Sequence, residues 1–486
     1  MKVFRHLLSV CLCILPLLGC AQGRGGQALE DEAKQDQAAP STPEKNLLRA
    51  IELVTHATDH YFDESGTALS RYYNPYTGKR SKEIGSVWMY TSGIEATNAI
   101  LSALQTSKRI GESELYDRYH QHFVSLLSRL YDGLEYYAGT FTLTSYTRTK
   151  EWTVYAVDRA GTPGTANVDG IYNVYDDQMW LVRELLASYA LTHDQKYLDK
   201  AEYLTAYVLD GWDCTRDADG KENGGITWGP GYVTKHACSN GPMISPLVEL
   251  HTLYAGKADR TTHHYITEGG ARKDEPKTKS DYYLDYARAI YDYQKHHLLN
   301  ERGVYDDMMG GSDSPHVQYT TVDGVRYRTN TPLPQRIGPA ISYNSGTMLS
   351  GGADLYRATG DSQYLQDITA LAKASFEEFA TPGTIVPGHY TFDIRGFRNW
   401  FDCVLLRGYF DTAQVSPGVD KYLSAFQDNL DYAYDNYLYQ HMLPTNLLAG
   451  WNKSEPEKNS VEAMFTYAFA TEYALLALHE WRNSHK

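Results

Sequence analysis

LASYALTHDQKYLDKA, Leu186 to Ala201, holds the end of one helix and the start of the next. Apolar residues three and four apart run up to Leu191, a short polar turn follows, and Asp194 stands where an N-cap belongs, just ahead of Tyr197-Leu198. The phrase returns three times. Asp281 precedes YYLDYA, Asp361 precedes SQYLQDI and Asp420 precedes KYLSAF, so four aspartates are predicted to cap four helices. From Tyr197 the phrase recurs at Tyr283, Tyr364 and Tyr422, intervals of 86, 81 and 58 residues. An open solenoid of the tetratricopeptide kind needs a regular period of about 34 residues. Irregular spacing suits a closed ring of helical hairpins, which tolerates long loops on one rim.

Working outward, apolar periodicity predicts helices beginning near Glu44, Val87, Glu114, Asp176, Gln195 and Met243, then near Asp281, Tyr343, Ser362, Phe397, Asp420 and Val461. Twelve helices in six hairpins predict an all-α fold, the (α/α)6 barrel, spanning residues 43–486. The segment TFTLTSYTRTKEWTVYAVD alternates β-formers and reads as a short hairpin. ADRTTHHYITEGGARKDEPKTKSD reads as a polar surface insertion, and DCTRDADGKENGGITWGPGYVTKHACSNGP as a rim loop.

The N-terminus, MKVFRHLLSVCLCILPLLGC, has Lys2 and Arg5 ahead of an apolar run, the form of a secretory signal over residues 1–19. Its end, Leu17-Leu18-Gly19-Cys20, resembles a bacterial lipobox, which implies a lipidated Cys20. Residues 20–42 are small and polar and read as a flexible tether. The expected location is the bacterial outer membrane, at the cell surface or the periplasmic face, with membrane contact only through the anchor.

Among 486 residues, 60 acidic side chains outnumber 45 basic ones, a net charge of −15 that repels nucleic acid and anionic lipid. A neutral partner fits better, and 41 tyrosines offer apolar faces with polar tips suited to stacking on sugar rings. Beyond Cys20 the mature domain keeps Cys214, Cys238 and Cys403, too few for a disulfide framework, although a bridge from Cys214 to Cys238 is conceivable across the glycine-rich loop. His263-His264 and His296-His297 are adjacent pairs rather than i, i+4 ligands, and no phosphate loop or G-x-S-x-G elbow occurs. No metal and no cofactor are called for, and a monomer is expected.

The chemistry concentrates in NVYDDQMW, Asn173 to Trp180. Two aspartates before an apolar helix are commonly caps. These two are bracketed by Tyr175 and Trp180, and neighbouring carboxyls in an aromatic setting cannot both ionise cheaply. One protonated and one anionic carboxyl is the division of labour that glycoside hydrolysis requires, and a close pair corresponds to retention.

NVYDDQMWLVRELLASYALT, then GGITW at 224–228, KHACSNGPMI from Lys235, GVYDD from Gly303 and YNSGTMLSGGADLYRATGDSQYL from Tyr343 occur in order and resemble glycoside hydrolase family 76. That resemblance implies an endo-acting α-1,6-mannanase with α-mannan as its partner, Asp176 as nucleophile and Asp177 as general acid. It further implies that Tyr175, Trp228, Asn240, Asp306, Tyr343 and Asn344 contact substrate. Transfer to another sugar by the same aspartates, and glycan binding without cleavage, are the alternatives. Asp306-Asp307 lacks a following amphipathic helix and is not expected to be catalytic. Asn399 and Trp400 depart from the family's shorter phrase, which bears on the shape of the cleft.

Overall fold

The computed structural model describes residues 42–310 and 316–484. The signal segment, Cys20 and nearly all of the tether lie outside the described residues; Thr42, expected at the tether's end, opens the first helix. In chain order the first six helices are α1 (Thr42–Tyr61), α2 (Val87–Arg109), α3 (Glu114–Leu134), α4 (Tyr175–Thr192), α5 (Gln195–Asp210) and α6 (Ile244–Tyr254). They are followed by α7 (Lys279–Leu298), α8 (Ser342–Thr359), α9 (Ser362–Phe379), α10 (Arg398–Ala413), α11 (Asp420–Tyr437) and α12 (Ala463–Ser484).

The even-numbered helices form an inner ring in which each packs on the next and α12 returns to α2. The odd-numbered helices form the outer layer, with α1 closing the ring against α12. The architecture is the (α/α)6 barrel. Composition sorts the helices between layers. Inner α12 (AMFTYAFATEYALLALHEWRNS) is buried almost throughout, whereas outer α3 buries one stripe, Leu115, Phe123, Leu126, Leu127 and Leu130, and shows charge on its other face. Where α8 meets α10, a Cβ on Gly346 would come within 2.4 Å of the Val404 carbonyl oxygen and one on Gly408 within 2.6 Å of the Gly346 carbonyl oxygen. Only glycines permit that approach. The ends of the chain are also tied by charge: Arg49 of α1, 4% exposed, pairs with Asp431 and Asp435 of α11.

The repeated phrase opens α5, α7, α9 and α11, all outer helices, but only two of its aspartates act as side-chain caps. Asp194 accepts from the Lys196 N–H at 3.2 Å and Asp361 from the Gln363 N–H at 2.9 Å. Asp281 instead sits inside the first turn of α7, capped by Thr278, and Asp420 is the first residue of α11 after a 3-10 turn at Pro417–Val419. Short upstream extensions moved the true caps ahead of both aspartates.

The rims are unequal. Connections that lead into inner helices are long (62–86, 135–174, 211–243, 299–341, 380–397 and 438–462), and those that leave them are short (110–113, 193–194, 360–361 and 414–419), with 255–278 the exception. The inner-helix N-termini and the long loops therefore share one rim. There the expected hairpin forms from Ala138–Thr144 and Thr149–Tyr155. A small sheet joins Lys235–His236, Met308–Gly310 and Gln335–Ile337. The polar insertion is itself a hairpin, Arg260–Ile266 with Arg272–Thr278.

Candidate active site

The first turn of α4 carries the two aspartates. Its N-cap is Val174, in extended conformation with no side-chain cap, so neither aspartate is the cap residue. The Tyr175 N–H is taken by the Trp228 carbonyl at 2.8 Å, which docks the glycine-rich rim loop on the helix start. Gln178 clamps the next turn to the first hairpin through both the N–H and the carbonyl of Tyr155, at 3.1 and 2.8 Å.

Asp177 is only 7% exposed, while Asp176 is half-buried at the rim. Burial raises both carboxyl pKa values, but their neighbours differ. Asp176 reaches about 6: burial lifts it, and the Cys238 thiol, the Trp228 indole N–H and the backbone N–H groups of residues 176 and 177 hold it down. Asp177 is pushed well above the ordinary carboxyl value by burial and then by the charge of Asp176. The positive end of α4 also favours charge on its first turn. The site thus holds an anion at Asp176 beside a protonated acid at Asp177, and no lysine or arginine is among the leading causes of either shift.

An aromatic row borders Asp176. The half-buried Trp228 stacks on His236 with ring centres 4.9 Å apart and leans on Tyr232 at 4.6 Å. His236 is held neutral by burial, its pKa lowered to about 4. Asp176 Oδ1 and Trp228 Nε1 are buried without a hydrogen-bond partner of normal geometry, two polar atoms a ligand can satisfy. Beneath the pair, Trp180 donates its indole N–H to the Tyr343 hydroxyl at 2.7 Å, and Trp400 packs on both rings at 4.8 and 5.6 Å. Trp400 therefore forms the floor under the pair, while Asn399 is tied to the Thr445 carbonyl.

The other sequence candidates divide. Tyr343 is buried, close enough to both aspartates for their charge to raise its phenol pKa. Asn344, fully buried, bonds the carbonyls of Tyr305 and Asp306 and leaves its Oδ1 unpartnered. Tyr175 is withdrawn from the surface: it is 1% exposed, packed on Tyr207 and filling the space a Gly211 side chain would need. Asn240 is fully buried, accepting from the Ile226 N–H and donating to the carbonyls of Ile226 and His236, so its amide shapes the loop. Asp306 accepts from Asn300 at 2.7 Å and pairs with Arg336 at 2.7 Å. Its neighbour Asp307 lies near enough to Cys238 for its charge to raise the thiol pKa, with its own raised by burial.

Cys214 and Cys238 are both free, so the conceivable bridge does not form. Cys238 is instead a neutral thiol beside Asp176. Sequence reasoning missed Cys238, Asp307 and Tyr232. The first was read only as a bridge half, the second was set aside with its pair, and the third is one tyrosine among 41.

The profile of glycosyl hydrolase family 76 matches residues 136–256 and 275–476, about two thirds of the chain. The chain belongs to glycosyl hydrolase family 76. No curated protein matches it in sequence. Among solved structures it is similar to a family 76 mannosidase of Bacteroides thetaiotaomicron VPI-5482, at 21% identity and a TM-score of 0.65, covering 90% of this chain and 100% of that one. It is also similar to the α-1,6-mannanase of Salegentibacter sp. HEL1_6, at 18% identity and a TM-score of 0.57, covering 89% of this chain and 99% of that one. An inactive variant of that mannanase, with two consecutive aspartates replaced by asparagine, is seen with α-1,6-mannotriose (18% identity, TM-score 0.56, 89% and 99% covered). At such identities the likeness is one of fold. Membership in the family makes this chain a glycoside hydrolase, of the kind that degrades mannan.

Proposed function

We propose that this glycosidase is an endo-α-1,6-mannanase acting with net retention through Asp176 and Asp177. The observation that carries the reading is the division between two adjacent carboxyls on one helix turn: Asp176 with N–H and S–H dipoles toward it, Asp177 with none and a charge beside it. In the first step Asp177 gives its proton to the leaving glycosidic oxygen while an Asp176 oxygen attacks the anomeric carbon, forming a mannosyl ester. In the second, the Asp177 carboxylate takes a proton from water as that water displaces Asp176. Trp228 supplies a flat face and an indole N–H, and Tyr343 and Asn344 line the floor. Asp307 replaces Asp306 as the acidic group that reaches the sugar hydroxyls.

The α-1,6 linkage is supported by the mannotriose bound to the inactive Salegentibacter relative, and a neutral polysaccharide suits a chain of net charge −15. Cys20 is proposed as the lipid anchor, holding the enzyme on the outer membrane; C20A is expected to move it into the soluble fraction.

The test is product size from unbranched α-1,6-mannan. Short oligomers from the parent, and none from D176N or D177N, are expected. Products longer than the substrate would identify a transferase instead, and intact polymer retained by the protein a binding module.

A further inference from the structure

The one long return, residues 255–278, builds a second cavity. The first strand, the turn and the start of the second strand of its hairpin fall in the interval 257–274 that separates the two segments matching the family profile. It is pinned against the barrel's flank. Arg272 donates through Nε to the Tyr146 carbonyl at 2.8 Å, Arg216 holds the Ile266 carbonyl at 2.9 and 2.6 Å, and the Arg148 guanidinium meets His264, which in turn pairs with Asp274 at 2.6 Å.

Between this hairpin, the first hairpin, α5 and the start of α7 lies a cavity of about 440 Å3. That volume is within the range of small-molecule sites, roughly 300–1,000 Å3. Tyr203, Trp212, Tyr282 and Tyr286 give it an aromatic lining. Two of its cations are neutralised within the wall: Arg148 Nε lies 2.9 Å from Asp210 Oδ1, and Lys279 Nζ lies 2.6 Å from Glu202 Oε1. The other oxygen of Asp210, Oδ2, is buried without a partner, on a residue 9% exposed. Apart from Lys150, whose ammonium sits over the Trp152 ring at 3.8 Å, the lysine and arginine of the lining are paired, which gives a mobile anion little to gain. Aromatic faces and an unsatisfied acceptor suit an uncharged ring that has C–H groups on one side and hydroxyls at its edge.

We propose that this cavity is a second carbohydrate site, which holds a neutral hexose unit of a polysaccharide without cutting it. The cavity shares no lining residue with the catalytic pair and its aromatic row. Its function is then to retain the polymer while the cleft turns over, so that the chain is held at two points. The identity of the hexose as mannose rests on the proposed activity; the existence of a binding site does not.

The test compares parent with Y282A and with T262W, the latter placing an indole at an exposed position of the cavity wall. Retention of the D176N/D177N protein in native gels cast with unbranched α-1,6-mannan is expected to weaken about fivefold on adding either substitution. In proteins with the aspartates intact, kcat/KM on the polymer is expected to fall about threefold while that on α-1,6-mannotriose stays unchanged. Unchanged retention and unchanged polymer kinetics in both variants would overturn the proposal. If the parent fails to cut mannan, the mannanase reading fails by itself. The cavity is then judged by the same gels cast with mannan, β-glucan or galactan, where equal migration of parent and variants in all three overturns it.

Discussion

The two ends of the barrel interior bury acids in opposite company. At the rim away from the catalytic pair lies a cavity of about 850 Å3 lined by Glu95, Glu184, Glu249 and Asp354 together with Arg183, Arg357 and Arg407. Arg407 pairs with Glu95, Arg357 pairs with Asp354, and Asn98 donates to Glu184 at 2.8 Å. At the catalytic rim Asp176 and Asp177 have dipoles and aromatic rings around them and no cation among the leading causes of their shifts. Burial lifts carboxyls at both ends, Glu184 and Glu249 to about 7 and Asp176 to about 6, so burial is not what separates them. The separating feature is the arginine. The far-rim acids with nearby guanidiniums serve the structure, and Asp176 and Asp177, set among dipoles and aromatic rings, keep a lone pair and a proton available to substrate.

Substituting Asp177 by Asn is the strongest attack on that contrast. D177N is expected to lower kcat and kcat/KM on mannan by about 10^2- to 10^4-fold, with much of the loss in kcat/KM restored on an aryl mannoside whose leaving group needs no proton, while kcat stays low because the second step still lacks its base. Stability should move the other way. Because the folded pKa of Asp177 lies above its ordinary value, the native state binds more protons than the unfolded one, and this group's contribution falls as pH rises from about 4. Asn removes that cost, so D177N should melt about 1–3 °C higher than the parent at pH 7, a gain that vanishes near pH 4. Lower Tm at pH 7 would show Asp177 to be a structural acid after all.

R407M probes the other end. With Arg407 gone, Glu95 loses its partner and Glu184 keeps only Arg183, 3.8 Å away, which should cost about 3–5 kcal/mol in urea unfolding, while kcat per folded molecule stays at the parental value. A kcat loss comparable to that of D177N would mean the two ends are not separable.

Smaller effects refine the catalytic end. W228F keeps a ring and removes the indole N–H, which should reduce kcat/KM on mannotriose about 10-fold, the size of one hydrogen bond to a charged group. C238A removes a donor from Asp176, so its pKa should rise. The acidic limb of the kcat/KM profile, set near pH 6 by Asp176, should then move up by as much as about one pH unit, and C238S should leave it nearer the parent. An unmoved limb in C238A would remove the thiol from the account.

The fold was largely legible because its signal is local. Each of the twelve helices starts within two residues of its expected position, since periodicity and turn residues are read over one or two turns. The catalytic turn was legible for the same reason, two carboxyls adjacent in sequence being adjacent in space. What surrounds them was not. Asn240 and Asp306 have the right chemistry for sugar, yet the residues that occupy them, Ile226 and Arg336, lie 14 and 30 positions away on loops whose course no local pattern sets. Tyr175 shows the limit from the other side: the helix phase that turns Asp176 to the rim turns its neighbour into the core. Cys238, which reaches Asp176, and Asp307, which reaches Cys238, are brought together through the small sheet linking 235–236 to 308–310, a non-local pairing.

The central claim is that Asp176 attacks the anomeric carbon while Asp177 supplies the proton. Proton NMR of the anomeric region, recorded within the first minutes of hydrolysis of unbranched α-1,6-mannan, tests it most directly. The account predicts that new reducing ends appear first as the α-anomer and only later equilibrate, and that D176N yields none. New ends appearing first as the β-anomer, or formed at the parental rate by D176N, would contradict it.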